Sequence, residues 1–287
     1  AVLVDSWGFT IRVAERVRRR APEIRLIKLV GPQVWAMRPG RAKSLARAVD
    51  HVLCLHEMEV PFYAGTGLKT TVIGNPALSR THHGDGPGFR ARHGLSPVQP
   101  ALLVLPGSRS SEIQNVAPVL MAAARSLKAD RPDLQVIAAP ASGVEEQFRA
   151  AFPDAAAWCT LSSLARERYD AMAAADLALA CSGTVTNELA VQGTPMIVGY
   201  RVGWITWAIA RGLLYKPRHI TLLNIAADDT EIVPEFVQTR FKAAQIAATA
   251  GRLLDDPEAL STQTRAQYDA LSAMGQGPRP TAERAAE

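Results

Sequence analysis

Leu102-Leu103-Val104-Leu105-Pro106-Gly107-Ser108-Arg109-Ser110-Ser111-Glu112 is the stretch on which the fold turns. Four consecutive apolar residues read as a strand. Pro106 and Gly107 end the strand, and a helical pattern follows. Gly107 permits a tight turn and close approach of a ligand. Ser108 and the N–H groups after it can donate to phosphate oxygens, and Arg109 offers a planar, permanently charged fork for bidentate contact. A helix N-terminus at this point favours an anion by roughly 0.3–1 kcal/mol. Taken alone, the same residues read equally well as a plain strand-to-helix turn with a Ser cap and a surface Arg.

A second segment is built the same way. The strand pattern Leu177–Ala180 runs into Cys181-Ser182-Gly183-Thr184-Val185-Thr186-Asn187-Glu188 and a helix. Ser182, Gly183 and Thr184 supply hydroxyls and N–H groups at the helix start, and Glu188, one turn in, could accept from two ribose hydroxyls. The alternative is an ordinary cap, with Ser182 or Thr184 as N-cap and Glu188 in the first turn. Two such helix starts in one α/β unit favour a nucleotide diphosphate as the ligand.

Outward from these two turns, short β-rich runs alternate with amphipathic helical stretches, which implies parallel sheets covered by helices. Before residue 80 the pattern gives strands at Ala1–Asp5, Ile24–Val30, His51–Leu55 and Thr70–Gly74, with helices at Thr10–Arg20, Gly40–Val49 and Glu57–Thr66. Residues 75–100, rich in glycine, proline and histidine, read as an interdomain connection with a short helical piece near Phe89–His93. A second series follows. Its strands are expected at Ala101–Leu105, Leu134–Ala138, Ala156–Cys159, Leu177–Ala180 and Met196–Val198, and its helices at Ile113–Lys128, Val144–Ala151, Leu164–Ala174 and Thr186–Gln192. Thr239–Met274 reads as one or two helices, and Gly275–Glu287 as frayed. Two successive Rossmann-like units result, with chemistry expected just after the carboxyl ends of the strands. The chain opens on Ala1-Val2-Leu3-Val4-Asp5, a strand already under way, so its natural start is expected upstream.

Composition bounds the partners. Of the 287 residues, 48% are hydrophobic and 21% charged, as in ordinary globular proteins. Three cysteines without a CxxC pair favour a reducing compartment and argue against a disulfide scaffold or a zinc site. No apolar run reaches the roughly 18 residues that would span a bilayer. The net charge of +5 fits an anionic partner. The basic residues are not interleaved with aromatics, which disfavours nucleic acid. Gly203–Arg218 carries aromatics and aliphatics flanked by cations and reads as an interfacial helix or, equally, as a core helix with a basic end. Arg16–Arg20 reads as the solvated face of a helix. Asp5 ends a strand at the edge where a base could work, although position alone favours a capping role.

Taken together, these segments resemble the lipid A disaccharide synthase family of GT-B glycosyltransferases. The resemblance is carried by Val4-Asp5-Ser6, Gly31-Pro32-Gln33-Val34-Trp35-Ala36-Met37-Arg38, Arg47-Ala48-Val49-Asp50, Phe62-Tyr63, Gly74-Asn75-Pro76 and Leu105–Arg109 with Glu112. Ser182-Gly183-Thr184 with Glu188, Pro195–Arg201, Leu223-Asn224-Ile225 and Val233–Gln238 complete it. It spans nearly the whole chain. It implies two Rossmann-like doubly wound parallel-sheet lobes with a cleft between them, the first truncated at its N-terminus. Residues 1–80 would be the partial acceptor-side lobe, 81–250 the UDP-sugar lobe and 251–287 a helical tail.

The resemblance also implies the reaction. An inverting hexosyltransferase moves 2,3-diacylglucosamine from UDP to 2,3-diacylglucosamine 1-phosphate, forming the β-1′,6 disaccharide and UDP in bacterial lipopolysaccharide synthesis. On this footing Asp5 aligns with the base, and Arg109 neutralises the leaving diphosphate. Gly107, Ser108, Ser182, Gly183 and Thr184 hold the diphosphate region, Glu188 the ribose and Asn224 another part of the nucleotide, while Tyr200 and Arg201 are weaker cleft candidates. No metal and no cofactor are expected, and the chain has no DxD motif. A cytoplasmic protein in peripheral contact with inner-membrane lipid, and a homodimer, are implied. Gly8, Met37 and Asn75 stand where the family usually has Asp, Trp and His, which bears on the acceptor rather than on UDP. A UDP-sugar 2-epimerase of similar fold and a UDP-binding paralogue without transferase activity are the other readings.

Overall fold

Among the described residues ten strands form two all-parallel sheets, four in the first and six in the second. The computed structural model describes residues 1–36, 38–79, 81–201, 217–276 and 281–286. Met37 and residues 203–216 of the aromatic segment lie outside them. One unit takes in Ala1–Arg80 and Leu271–Glu287, the other Thr81–Gly203 and His219–Ala270.

In the first unit β1 (Val2–Val4), β2 (Ile27–Leu29), β3 (His51–Cys54) and β4 (Lys69–Val72) pair in sequence order. Helices α1 (Trp7–Arg20) and α2 (Arg41–Ala48) make the crossovers, burying Ala14, Ala42, Leu45 and Ala48 with Leu26 and Val52. The helix expected over 57–66 is a 3-10 helix of Glu57–Phe62 with Pro61 inside it. A short α3 (Pro76–Ser79) follows. The tail expected to fray returns to this unit as a helix, Thr281–Ala286. Arg284 holds it there, donating to the carbonyls of Gly275 (2.8 Å) and Val72 (3.0 Å).

The second unit begins with α4 (Gly86–Arg92), capped by the Asp85 side chain. Its sheet holds β5 (Ala101–Leu105), β6 (Gln135–Ala138), β7 (Thr160–Leu161), β8 (Leu177–Cys181), β9 (Met196–Tyr200) and β10 (Glu235–Val237). β5 and β8 are buried along their whole length, as their unbroken apolar sequences require. α5 (Ser110–Asn115) and α6 (Ala117–Asp130) replace the single helix expected over 113–128, because Pro118 has no N–H and starts a new helix. α7 (Glu145–Ala151), α8 (Leu164–Ala173) and α9 (Val185–Gln192) fall where their periodicity put them. The strand expected at 156–159 is instead a 3-10 turn, Ala155–Ala157, ahead of β7. Three successive alanines bring neither β-branching nor aromatic bulk to a strand. β10 and α10 (Leu222–Ala226), absent from the sequence reading, extend the unit, and α11 (Ala243–Leu254) and α12 (Pro257–Ala273) are the two C-terminal helices. Among the described residues no helix is long and apolar enough to cross a membrane.

The first unit also buries a carboxyl. Glu59 is 3% exposed, and its Oε1 accepts from the N–H groups of Leu55 and His56, both at 3.0 Å. Burial pushes its pKa up to about 7 against the opposing pull of those bonds. The folded value exceeds the unfolded one, so Glu59 contributes stability fully present below about pH 4.5 and lost as pH rises through 7. The interval is worth roughly 3 kcal/mol at about 1.4 kcal/mol per pH unit. His51 and His56, both lowered by burial, act in the opposite sense as pH falls. Comparison with Glu59→Gln therefore isolates the carboxyl. In urea unfolding, the variant should gain stability relative to the parent between pH 5 and 8; a constant difference across that range would contradict the assignment.

Candidate active site

The strand order β10-β9-β8-β5-β6-β7 locates the site. From β5 the chain steps to β6 and β7 on one side; from β8 it steps to β9 and β10 on the other. β5 and β8 are neighbours, with Leu105 in register with Ala180. The carboxyl ends of such a pair diverge into loops that cross opposite faces of the sheet, leaving a crevice where ligands of open α/β sheets bind. Both turns singled out in the sequence leave from this point.

The first turn is shaped from within. Gly107 has φ +124°, and a Cβ there would lie 2.5 Å from the Glu112 Cβ. Glu112 is 6% exposed. Its Oε2 accepts from the N–H groups of Ser108 (2.7 Å) and Arg109 (3.2 Å), and its Oε1 from Arg109 Nη1 (2.7 Å). Two of the N–H groups that the sequence offered to phosphate are thus already committed to Glu112, which corrects that expectation. The Ser108 hydroxyl and the remaining guanidinium donors of Arg109 stay available, with the Arg109 side chain 72% exposed.

The second turn has the opposite character. Thr184 occupies the N-cap position in helical geometry and makes no side-chain cap bond, so the capping alternative is not the one realised. Thr186 Oγ1 donates to the Gly183 carbonyl at 2.8 Å and fixes the turn. The N–H groups of Gly183, Thr184 and Val185 have no acceptor among the described residues. Orphan donors at a helix start are an anion site in waiting.

The two turns wall one pocket of about 260 Å³, lined by Gly107, Ser108, Arg109 and Glu112 from one and Cys181–Val185 from the other. Ala139 and Ala141, after β6, and Arg168, from α8, complete it. Burial pushes the Cys181 thiol up to about 12, so it is a neutral wall. Arg168 carries no motif in the sequence, and only the packing of α8 beside α9 brings it here. It pairs with Glu188, which is 9% exposed. Burial raises the Glu188 pKa, and Arg168 opposes the rise. Glu188 thus stands behind the pocket, at one remove through Arg168.

The other candidates are not among the pocket's lining residues, although Tyr200 is close enough to Cys181, Glu112 and Arg109 to feel their charges. Asn224 is fully buried. It donates to the Val233 carbonyl (2.8 Å) and Glu235 Oε1 (2.9 Å) and accepts from the N–H groups of Ile232 (2.9 Å) and Val233 (2.8 Å). All four bonds of its amide are satisfied by the chain, so the structure does not bring it to the pocket. Arg201 donates to the Phe241 carbonyl at 3.0 Å and covers that ring. Tyr200 is half-buried at the carboxyl end of β9, with its hydroxyl pKa raised by burial. Asp5, in the first unit, is exposed at the carboxyl end of β1.

Known proteins share both the sequence and the fold. The family model "Lipid-A-disaccharide synthetase" matches residues 1–287. A lipid-A-disaccharide synthase of Rhodospirillum centenum is 38% identical over 291 residues, covering 100% of this chain and 71% of that protein. One of Paramagnetospirillum magneticum is 36% identical, covering 100% and 73%. Among solved structures, a putative UDP-N-acetylglucosamine 2-epimerase of Listeria monocytogenes superposes with a TM-score of 0.63 at 12% identity, over 96% of this chain and 71% of that one. The UDP complex of MnaA from S. aureus gives 0.61 at 11%, over 99% and 72%. At such identity the likeness is one of fold alone. Fold and sequence together define a GT-B-type glycosyltransferase, two parallel-sheet α/β units in one chain. The chain belongs to the lipid-A-disaccharide synthetase family, and its activity is formation of the lipid A disaccharide.

Two measurements separate site from scaffold. Gly107→Ala should weaken UDP in a calorimetric titration by about tenfold or more, roughly 1.4 kcal/mol, because its Cβ collides with Glu112; equal affinity would mean that the ligand does not read this turn. Asn224→Ala, which orphans two buried N–H groups, should lower the unfolding free energy by about 1–3 kcal/mol without a matching change in UDP affinity. A loss of UDP binding at undiminished stability would return Asn224 to the nucleotide site.

Proposed function

We propose that the pocket at the β5–β8 switch point holds the UDP of the donor sugar and that Asp5 is the base that activates the acceptor. The observation that carries the UDP half is the meeting of an exposed Arg109 with three unclaimed N–H groups in one concavity. A diphosphate bound there takes hydrogen bonds from Gly183, Thr184 and Val185 and from the Ser182 and Thr184 hydroxyls, while Arg109 supplies charge. Arg168 lines the same pocket, and its pairing with Glu188 fixes that wall, against which the ribose would lie.

The step balances as a direct displacement. The 6-hydroxyl oxygen of the acceptor attacks the anomeric carbon from the face opposite UDP. Its proton passes to the Asp5 carboxylate, the new C–O bond forms, and the bond to the diphosphate breaks, leaving both electrons on UDP. Charge grows on the leaving oxygen as this happens, so a cation fixed before reaction lowers the barrier without reorganising. Glu112 fixes Arg109 in this way. Peripheral contact with anionic lipid fits acyl-chain substrates and belongs to this proposal.

Asp5→Asn should lower the rate of UDP release from UDP-diacylglucosamine in the presence of diacylglucosamine 1-phosphate by about 10²–10⁴-fold, the usual worth of a general base, while UDP affinity holds. Wild-type turnover in that variant removes Asp5 from the mechanism. Arg109→Ala should weaken UDP by about tenfold or more, as loss of a charge-assisted bond implies. Unaltered affinity in that variant would refute the phosphate role.

A further inference from the structure

Three non-glycine residues in left-handed backbone gather at the carboxyl ends of two adjacent strands. Asp5 (φ 43°) and Ser6 (φ 45°) follow β1, and Val30 (φ 65°) follows β2. Each such residue costs on the order of 1–3 kcal/mol and persists only where its surroundings over-determine it. For a β-branched residue such as Val30 the conformation is a true outlier.

Lys28 holds the first of these turns. It lies on β2 between these turns and is 2% exposed, a rare state for a lysine. Its Nζ donates to the Asp5 carbonyl at 2.5 Å, to the Leu29 carbonyl at 3.4 Å and to the Leu3 carbonyl at 3.5 Å. The ammonium thus ties the Asp5 carbonyl of the first turn to the carbonyls of Leu3 and Leu29 on the two adjacent strands. Thr10, 5% exposed on α1, adds a second clamp: its hydroxyl lies 2.9 Å from the Asp5 carbonyl and 3.0 Å from that of Ser6. The Asp5 N–H donates to the Leu29 carbonyl at 3.0 Å. Every bond made by this cluster goes to backbone, and the Asp5 carboxylate is left exposed. Burial lowers the Lys28 pKa, and the charge of Asp5 raises it again, so the two charges sense each other.

We propose that Lys28 and Thr10 are positioning residues that lock the Asp5–Ser6 turn in its left-handed form and so aim the Asp5 carboxylate at the acceptor hydroxyl. The proposal rests on Asp5 as the base. A buried cation that bonds the Asp5 carbonyl and anchors it to its strand neighbours stiffens the turn, and a base held stiffly loses little rate to misalignment, where displacement by 1 Å can cost about 10²-fold.

The test uses the full chain and UDP release with both acylated sugars. Lys28→Met keeps the length and removes the donor; kcat should fall by about 10–100-fold, with the KM for the UDP-sugar little changed. Thr10→Val should lower kcat as well, and Thr10→Ser, which keeps the hydroxyl, should restore it. Adding Lys28→Met to Asp5→Asn should cost nothing beyond Asp5→Asn alone, because a residue acting through Asp5 has nothing left to position. Multiplicative losses in the double variant, or wild-type kcat in Lys28→Met with Asp5→Asn inactive, overturn the proposal and leave the base assignment standing. Wild-type kcat in Asp5→Asn overturns the base assignment itself. If Lys28→Met does not fold, equal losses in Thr10→Val and Thr10→Ser overturn the clamp.

Discussion

The parallel pairing of β5 with β8 is the constraint from which the rest of the second unit follows. Four registered pairs, from Leu102 with Leu177 to Leu105 with Ala180, bring together strands about 75 residues apart in sequence. Both strands are apolar throughout and can be satisfied only at the centre of a sheet covered on both faces. Their central place makes the chain step outward in two directions, which opens the crevice. Slide one strand by a residue and the two turns no longer leave the sheet side by side to wall one pocket.

Within that crevice the protein pairs each cation with a buried carboxylate. Arg109 leans on Glu112, and Arg168 on Glu188. Such pairs add little net stability when one partner is exposed, as Arg109 is. Their use is geometric. Each carboxylate occupies part of a guanidinium whose side chain lines the pocket. Glu112 also occupies two backbone N–H groups, so the first turn presents side-chain charge and the second presents bare backbone donors. The two halves are complementary rather than duplicates.

The first unit shows the same economy with different groups. Lys28 and Glu59 are both nearly fully buried, and both make hydrogen bonds to backbone at strand ends. The ammonium gathers carbonyls, and the carboxylate gathers N–H groups. Buried ionisable groups are costly unless so satisfied, and here each stiffens a loop at the edge where β1 and β3 end.

Much of this was written in the sequence. The apolar runs 101–105 and 177–180 named themselves as strands, the Gly-Ser-Arg and Ser-Gly-Thr turns were singled out as a pair and line one pocket, and helix periodicity located α7, α8 and α9. These are local signals, set by side-chain period and by glycine at a turn. Family motifs singled out Asn224 as well, but a motif does not say whether an amide faces a ligand or its own chain, and here it closes on Val233 and Glu235. The alanine run at 155–157 misled, because alanine tolerates strand and turn alike until its neighbours choose. Arg168, the commitment of Glu112 to Ser108 and Arg109, and Lys28 beneath Asp5 were decided by the tertiary structure alone. Each depends on which side chain meets which backbone group across different elements, or across a turn whose backbone angles the residue types leave open. The sequence determined the elements and the chemistry they carry; the packing of strands and helices determined which of those groups remain free to bind.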